Sequence, residues 1–99
     1  MTLDEISALE PQLAELCKKY GIAELAVFGS VARGDERPDS DVDLLYVRLP
    51  GNDLGMSYFA FQEDLERLFG SSVDLVPKDG LHRAIRDQLL GDARTLYAA

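Results

Sequence analysis

Short apolar runs alternate along this chain with stretches of helical spacing, and together they predict a small α/β domain. Thr2-Leu3-Asp4-Glu5 has the form of a capping box, so a first helical turn or two starts there. Glu10 precedes a proline and is expected to avoid helical angles, which puts the next helix at Pro11–Tyr20, closed by Gly21. Leu13, Leu16, Cys17 and Tyr20 supply its apolar stripe. Leu25-Ala26-Val27-Phe28 reads as a short buried strand, Ser30–Arg33 as one helical turn, and Gly34–Ser40 as a loop. A long strand spans Val42–Leu49 and stops at Pro50-Gly51. Tyr58, Phe61, Leu65, Leu68 and Phe69 then mark a helix over about Leu54–Phe69, ended by Gly70. Val73–Val76 predicts a third strand closed by Pro77. Leu81, Ile85 and Leu89 predict a last helix ending near Gly91, and Arg94–Tyr97 a short extended tail. This order describes helices packed on a small sheet.

Composition narrows the function classes. The 99 residues suit a single domain over 1–99. Eighteen acidic against ten scattered basic residues give a net charge of −8, which argues against independent binding to DNA or RNA. No apolar run reaches the ~18 residues of a membrane span, and the acidic start does not resemble a signal peptide. The single cysteine, Cys17, falls on an apolar helical face and suits a reduced, cytoplasmic protein. Small anionic substrates carried by metal ions remain open, because the metal supplies the positive charge.

The candidate chemistry lies in Phe28-Gly-Ser-Val-Ala-Arg-Gly-Asp-Glu-Arg-Pro-Asp-Ser-Asp-Val-Asp-Leu-Leu45. Residues two apart on a strand share a face roughly 6.5–7 Å apart, so Asp41 and Asp43 project together at the entry to the long strand. Two carboxylates so placed can share metal ions about 3.5–4 Å apart. Asp74 is the one charged residue of the third strand; if the two strands are neighbours it completes a cluster of three. Without a cation such acids repel and take up protons, whereas Mg²⁺ lets all stay ionised. Gly29-Ser30 ends a buried strand and opens a helical turn, which suits phosphate, and Arg33 sits one turn on. Gly29-x-x-x-x-Gly34 is no P-loop, because Asp35-Glu36 stands where Lys-Ser/Thr belongs. Asp39-x-Asp41-x-Asp43 is no EF-hand, because Leu44 replaces the glycine. Arg33-Gly34-Asp35 spells an integrin tripeptide without an extracellular setting.

The pattern Gly29, Ser30, Ala32, Arg33, Gly34, then Ser40, Asp41, Asp43, Leu44, with Val73-Asp74-Leu75-Val76 beyond, resembles the minimal nucleotidyltransferase (MNT) branch of the DNA polymerase β-like nucleotidyltransferase superfamily. The likeness covers nearly the whole chain. It implies an α/β nucleotidyltransferase-like fold with a small mixed sheet, and transfer of a nucleoside monophosphate, AMP from ATP, to a hydroxyl. It implies that Asp41 and Asp43 hold two Mg²⁺ ions, and that Asp74 holds one of them and helps deprotonate the acceptor. Gly29 and Ser30 would bind the triphosphate, with Arg33 and Ser40 beside them; Arg33 can equally brace the loop through Asp35 or Ser40. MNT proteins commonly pair with a HEPN-type toxin and act as antitoxin by adenylylating a tyrosine of that partner. A non-catalytic antitoxin that blocks its partner sterically, or a subunit modifying a small molecule such as an antibiotic, are the alternatives. His82 is expected to be an exposed or capping residue, and the acids at 4, 5, 10, 15, 63, 64 and 66 to line solvated helix faces.

Overall fold

Side-chain alternation along four strands gives the sheet two unlike faces. The structure, a computed structural model, describes residues 1–35, 37, 41–81, 87 and 90–99. Strands β1 (Ile22–Phe28), β2 (Val42–Arg48), β3 (Val73–Pro77) and β4 (Arg94–Ala98) lie in the order β3-β2-β1-β4. β1 runs antiparallel to both β2 and β4, whereas β2 and β3 are parallel. The sheet is therefore mixed, as the resemblance implies. Helices α1 (Leu3–Ser7), α2 (Glu10–Tyr20), α3 (Gly29–Arg33) and α4 (Ser57–Phe69) complete the described elements, with a 3₁₀ turn at Lys78–Gly80. None of the described helices is long and apolar enough to cross a membrane.

One sheet face carries Leu25, Val27, Val42, Leu44, Val73 and Leu75, which pack with Ile6, Leu13, Cys17, Phe61, Leu65 and Phe69 from the helices. Among the described residues no polar or charged side chain is buried, so cohesion comes from apolar area removed from water. Cys17 belongs to this core, and burial pushes its thiol up to about 12, which leaves it inert. The predicted capping box forms: Thr2 Oγ1 accepts from the Glu5 amide at 3.2 Å, and Glu5 Oε1 accepts from the Thr2 amide at 3.1 Å.

Several boundaries shift for identifiable reasons. α2 begins at Glu10 rather than Pro11. The Leu9 carbonyl accepts from the Leu13 amide at 2.9 Å and draws Glu10 into the first turn, overriding the mild preference of a pre-proline residue. β1 starts three residues before Leu25, because it is paired on both sides: Ile22 stands against Arg48, and Glu24 against both Val47 and Ala98. Hydrogen bonding to two neighbours outweighs the polar Glu24. β2 stops at Arg48, and the Leu49 amide turns to the Gly21 carbonyl at 3.0 Å. β3 runs on to include Pro77. α4 begins at Ser57, since Leu54–Met56 are taken up by turns. Most of the predicted last helix, including His82, Ile85 and Leu89, lies outside the described residues.

The loop after β2 is fastened at one point. Asn52 Nδ2 donates to the Tyr20 and Gly21 carbonyls at 2.9 and 2.8 Å. Gly21 closes α2 with φ of 69°, and a Cβ there would stand 2.7 Å from Asn52 Nδ2.

Phe61 is fully buried between the sheet and α2, with its ring 5.1 Å from that of Tyr20. Phe61→Ala is expected to cost about 3–5 kcal/mol, read as a lower denaturation midpoint at unchanged m in urea.

Candidate active site

β1, β2 and β3 bring the candidate residues Gly29, Asp43 and Asp74 to one end of the sheet, with the two acids on the face opposite the main core. Phe28, the last residue of β1, stands across from Asp43, and Asp43 lies directly beside Asp74 of β3. The neighbour relation on which the three-acid cluster depended is therefore present. Asp41 lies one residue ahead of β2 and is exposed, as is Asp74, whereas Asp43 is half-buried. The Asp43 carboxyl is pushed above the usual carboxylate range, first by burial, then by the charges of Asp74 and Asp41, with Arg33 opposing. Asp74 and Asp41 thus both act on Asp43 through their charge.

Gly29 holds this arrangement together. Its φ is 72°, in the left-handed region, and it turns the chain from the extended Phe28 into α3. A Cβ on Gly29 would collide with Asp43 Oδ2 and lie 3.3 Å from its Cγ. The missing side chain, expected from the sequence to admit a phosphate, first of all makes room for the Asp43 carboxylate. Ser30 is half-buried at the start of α3, and its carbonyl accepts from the Asp35 amide at 3.0 Å. Gly34 closes the turn with φ of 79°.

Arg33 follows the bracing alternative in part. Its Nε lies 3.4 Å from Asp35 Oδ2, and its Nη1 lies 3.8 Å from Asp92 Oδ2, just before β4. Both pairs are exposed and contribute little stability, so the guanidinium can exchange them for another anion. Ser40 lies outside the described residues.

Among the described residues no three His, Cys, Asp or Glu side chains are grouped so that they could hold a metal ion, so the expected cluster of Asp41, Asp43 and Asp74 is not drawn together as a three-ligand site. The donor set nevertheless fits Mg²⁺: hard carboxylate oxygens from two adjacent strands, with the Asp43 carboxyl held above its usual range first by burial and then by its neighbours' charge. A cation there would reverse the repulsion that raises Asp43.

The larger cavity, about 430 Å³, opens at the opposite end of the sheet between Tyr46, Leu49, Asn52 and Pro77, away from the acids. A smaller one, about 170 Å³, lies on the acid-bearing face between Ala26, Leu45, Val47 and Thr95. Leu45 follows Asp43 by two residues on that same face.

Two of the helix acids assigned to solvent have structural work instead. Asp64 accepts from the Tyr20 hydroxyl at 2.5 Å, and this bond is the main cause holding its carboxyl below the usual range. Glu66 accepts the Val73 amide at 2.9 Å, while Gln62 Nε2 and the Tyr58 hydroxyl donate to the Val73 and Leu75 carbonyls at 2.8 and 2.7 Å. Their four-residue spacing along α4 was the available signal, but a polar row on a helix reads the same whether it faces water or a strand edge.

The model of the nucleotidyltransferase domain family matches residues 9–96. The chain is 39% identical over 93 residues to the protein adenylyltransferase MntA of Thermococcus cleftensis, covering 91% of each chain. It superposes with a TM-score of 0.80 on a solved minimal nucleotidyltransferase, at 38% identity and 95% coverage of both chains. A more distant likeness is to a structure of a tri-AMPylated HEPN toxin of Shewanella oneidensis with its MNT antitoxin. There the TM-score is 0.67 at 17% identity, covering 95% of this chain and 73% of that one, a likeness of fold.

Two measurements check the site's internal mechanics. Gly29→Ala is expected to destabilise the fold, and Asp43→Ala in the same chain to relieve the part of that loss due to the carboxylate contact, leaving the cost of the positive φ, about 1 kcal/mol. Denaturation midpoints of the two single variants and the double variant give the coupling. Because the folded Asp43 pKa is raised, the native state holds its proton more tightly than the unfolded chain, and stability falls as pH rises from the unfolded pKa through the folded one. In metal-free buffer Asp43→Asn is therefore expected to be more stable than the parent at neutral pH, with the advantage vanishing below about pH 4.

Proposed function

The chain belongs to the nucleotidyltransferase domain family, and from that premise we propose that it is a magnesium-dependent adenylyltransferase whose acceptor is a hydroxyl on a HEPN-type toxin partner, a tyrosine by the family resemblance. The observation that carries this reading is the lateral pairing of Asp43 with Asp74 beside Gly29, which concentrates negative charge next to the Gly29-Ser30 turn. The relative named as a protein adenylyltransferase and the AMPylated HEPN toxin of the distant complex support the donor and the partner.

In this reading Gly29 and Ser30 bind the triphosphate, and Arg33 leaves its exposed partners to meet phosphate oxygens. Ser40 is assigned to the same nucleotide from the resemblance alone. Asp41 and Asp43 would hold two Mg²⁺ ions, with Asp74 on one of them; when bound, these neutralise charge on the phosphates and on the leaving oxygen. The acceptor oxygen forms a bond to the α-phosphorus, the bond from that phosphorus to the pyrophosphate oxygen breaks, and pyrophosphate departs. The hydroxyl proton passes to Asp74, the exposed carboxylate that an incoming side chain can reach.

The test incubates the protein with its co-purified HEPN-type partner, Mg²⁺ and ATP labelled at the α-phosphate. Label is expected on the partner, and Asp41→Asn with Asp43→Asn is expected to reduce its appearance roughly a thousand-fold. Neutralisation of the partner that survives these changes, with no label transferred, would establish steric antitoxin action instead.

A further inference from the structure

β3 is an edge strand, and among the described residues its outer row of backbone groups has no strand to pair with. The Ser72 carbonyl accepts from the Val42 amide of β2 at 2.9 Å, so even-numbered positions turn inward and Val73, Leu75 and Pro77 turn outward. Pro77 has no amide proton to lose at its outward position. Three of the remaining outward groups meet α4. Val73 is held at both its amide and its carbonyl, by Glu66 and Gln62, and Leu75 at its carbonyl by Tyr58. Tyr58, Gln62 and Glu66 recur every four residues, so one face of α4 stands in for a fifth strand.

The residue between those gripped positions is Asp74. Its own side chain is exposed, and its placement beside Asp43 depends on a five-residue strand bonded to β2 along one edge. A slip of two residues would put Ser72 or Val76 beside Asp43 and remove the acid from the cluster. Burial raises the pKa of the Tyr58 hydroxyl, and the Asp74 charge adds to the rise.

We propose that Tyr58, Gln62 and Glu66 are positioning residues for the transfer reaction, acting as a side-chain clamp that holds Asp74 in register with Asp43. The inference rests on the reading of Asp74 as part of the reacting site. The clamp sets the place of one carboxylate and leaves the Gly29-Ser30 turn untouched. Its loss therefore acts on turnover and metal occupancy, and leaves ATP affinity near the parent value where Mg²⁺ is saturating.

The experiment compares Tyr58→Phe, Gln62→Met, Glu66→Ala, Glu66→Gln and Asp74→Asn in the complex with the partner. Measured are kcat, KM for ATP, the melting temperature, amide exchange at Val73, and Mn²⁺ binding by electron spin resonance without turnover. Gln62→Met and Glu66→Ala are expected to lower kcat about tenfold or more and weaken Mn²⁺ binding several-fold, with KM for ATP within about twofold. Faster exchange at Val73 should accompany Glu66→Ala, and Glu66→Gln, which keeps an acceptor oxygen, should restore most of each quantity. Tyr58→Phe removes only a hydroxyl, so it tests the clamp even where a larger change prevents folding; a decrease of a few-fold in kcat is expected. Clamp variants with lowered melting temperature but unchanged kcat and Mn²⁺ binding well below that temperature would overturn the inference. If Asp74→Asn transfers AMP at the parent rate, the underlying reading of the site fails; if it is inactive while the clamp variants are unaffected, the clamp alone fails.

Discussion

The parallel pairing of β2 with β3 is the constraint on which the chemistry of this fold depends, because it sets Asp43 and Asp74 side by side. A parallel pair cannot be closed by a tight hairpin; it needs a crossover, here carried by α4. The crossover therefore has two tasks. Phe61, Leu65 and Phe69 bury one stripe of α4 in the core, while Tyr58, Gln62 and Glu66 use an adjoining stripe to hold the outer edge of β3. The same helix that makes the pairing topologically possible also fixes its register.

The cluster itself works against folding. Asp43 is partly withdrawn from water and repelled by Asp41 and Asp74, so the ion-free site destabilises the native state at neutral pH. The compensating free energy comes from the opposite face of the same strands, where Val42, Leu44, Val73 and Leu75 are buried. Alternation lets adjacent residues serve opposed ends: Val42 and Leu44 anchor the strand that exposes Asp43 to its like-charged neighbours. A bound cation converts the unfavourable field into binding affinity, which links metal loading to the stability of this end of the sheet.

How much of this was legible in the sequence follows from what local patterns encode. The alternation in Val42–Leu49 placed Asp41 and Asp43 on one face, and Gly29-Ser30 marked the turn, since both depend on residues close in the chain. That β3 lies beside β2 depends on topology, which a period-two pattern does not specify; the resemblance, rather than the spacing, anticipated it. The close approach of Gly29 to the Asp43 carboxylate was invisible for the same reason, since the two meet only through the Phe28–Asp43 register. Glu66 was assigned to a solvated helix face because a carboxylate that accepts a strand amide has no sequence signature different from one that faces water. Glu24 hid the first half of β1 because a strand bonded on both sides tolerates a polar residue that its apolar count does not predict.

The distribution of charge also constrains how substrates meet the site. A chain of net charge −8 with three acids at one sheet end repels a nucleoside triphosphate at distances up to about a Debye length, ~8 Å at physiological salt. On the proposed reading, cation binding would accompany or precede productive approach of the phosphates, since the single positive charge of Arg33, even released from Asp35 and Asp92, cannot by itself offset that field. An acceptor hydroxyl carries no such penalty, and a side chain presented on a neutral or basic surface approaches the exposed Asp74 without electrostatic cost. On that reading, selectivity for the donor would follow from metal-held charge at the Asp43 end. Selectivity for the acceptor would be left to the shape and charge of the surface that brings it to the exposed Asp74.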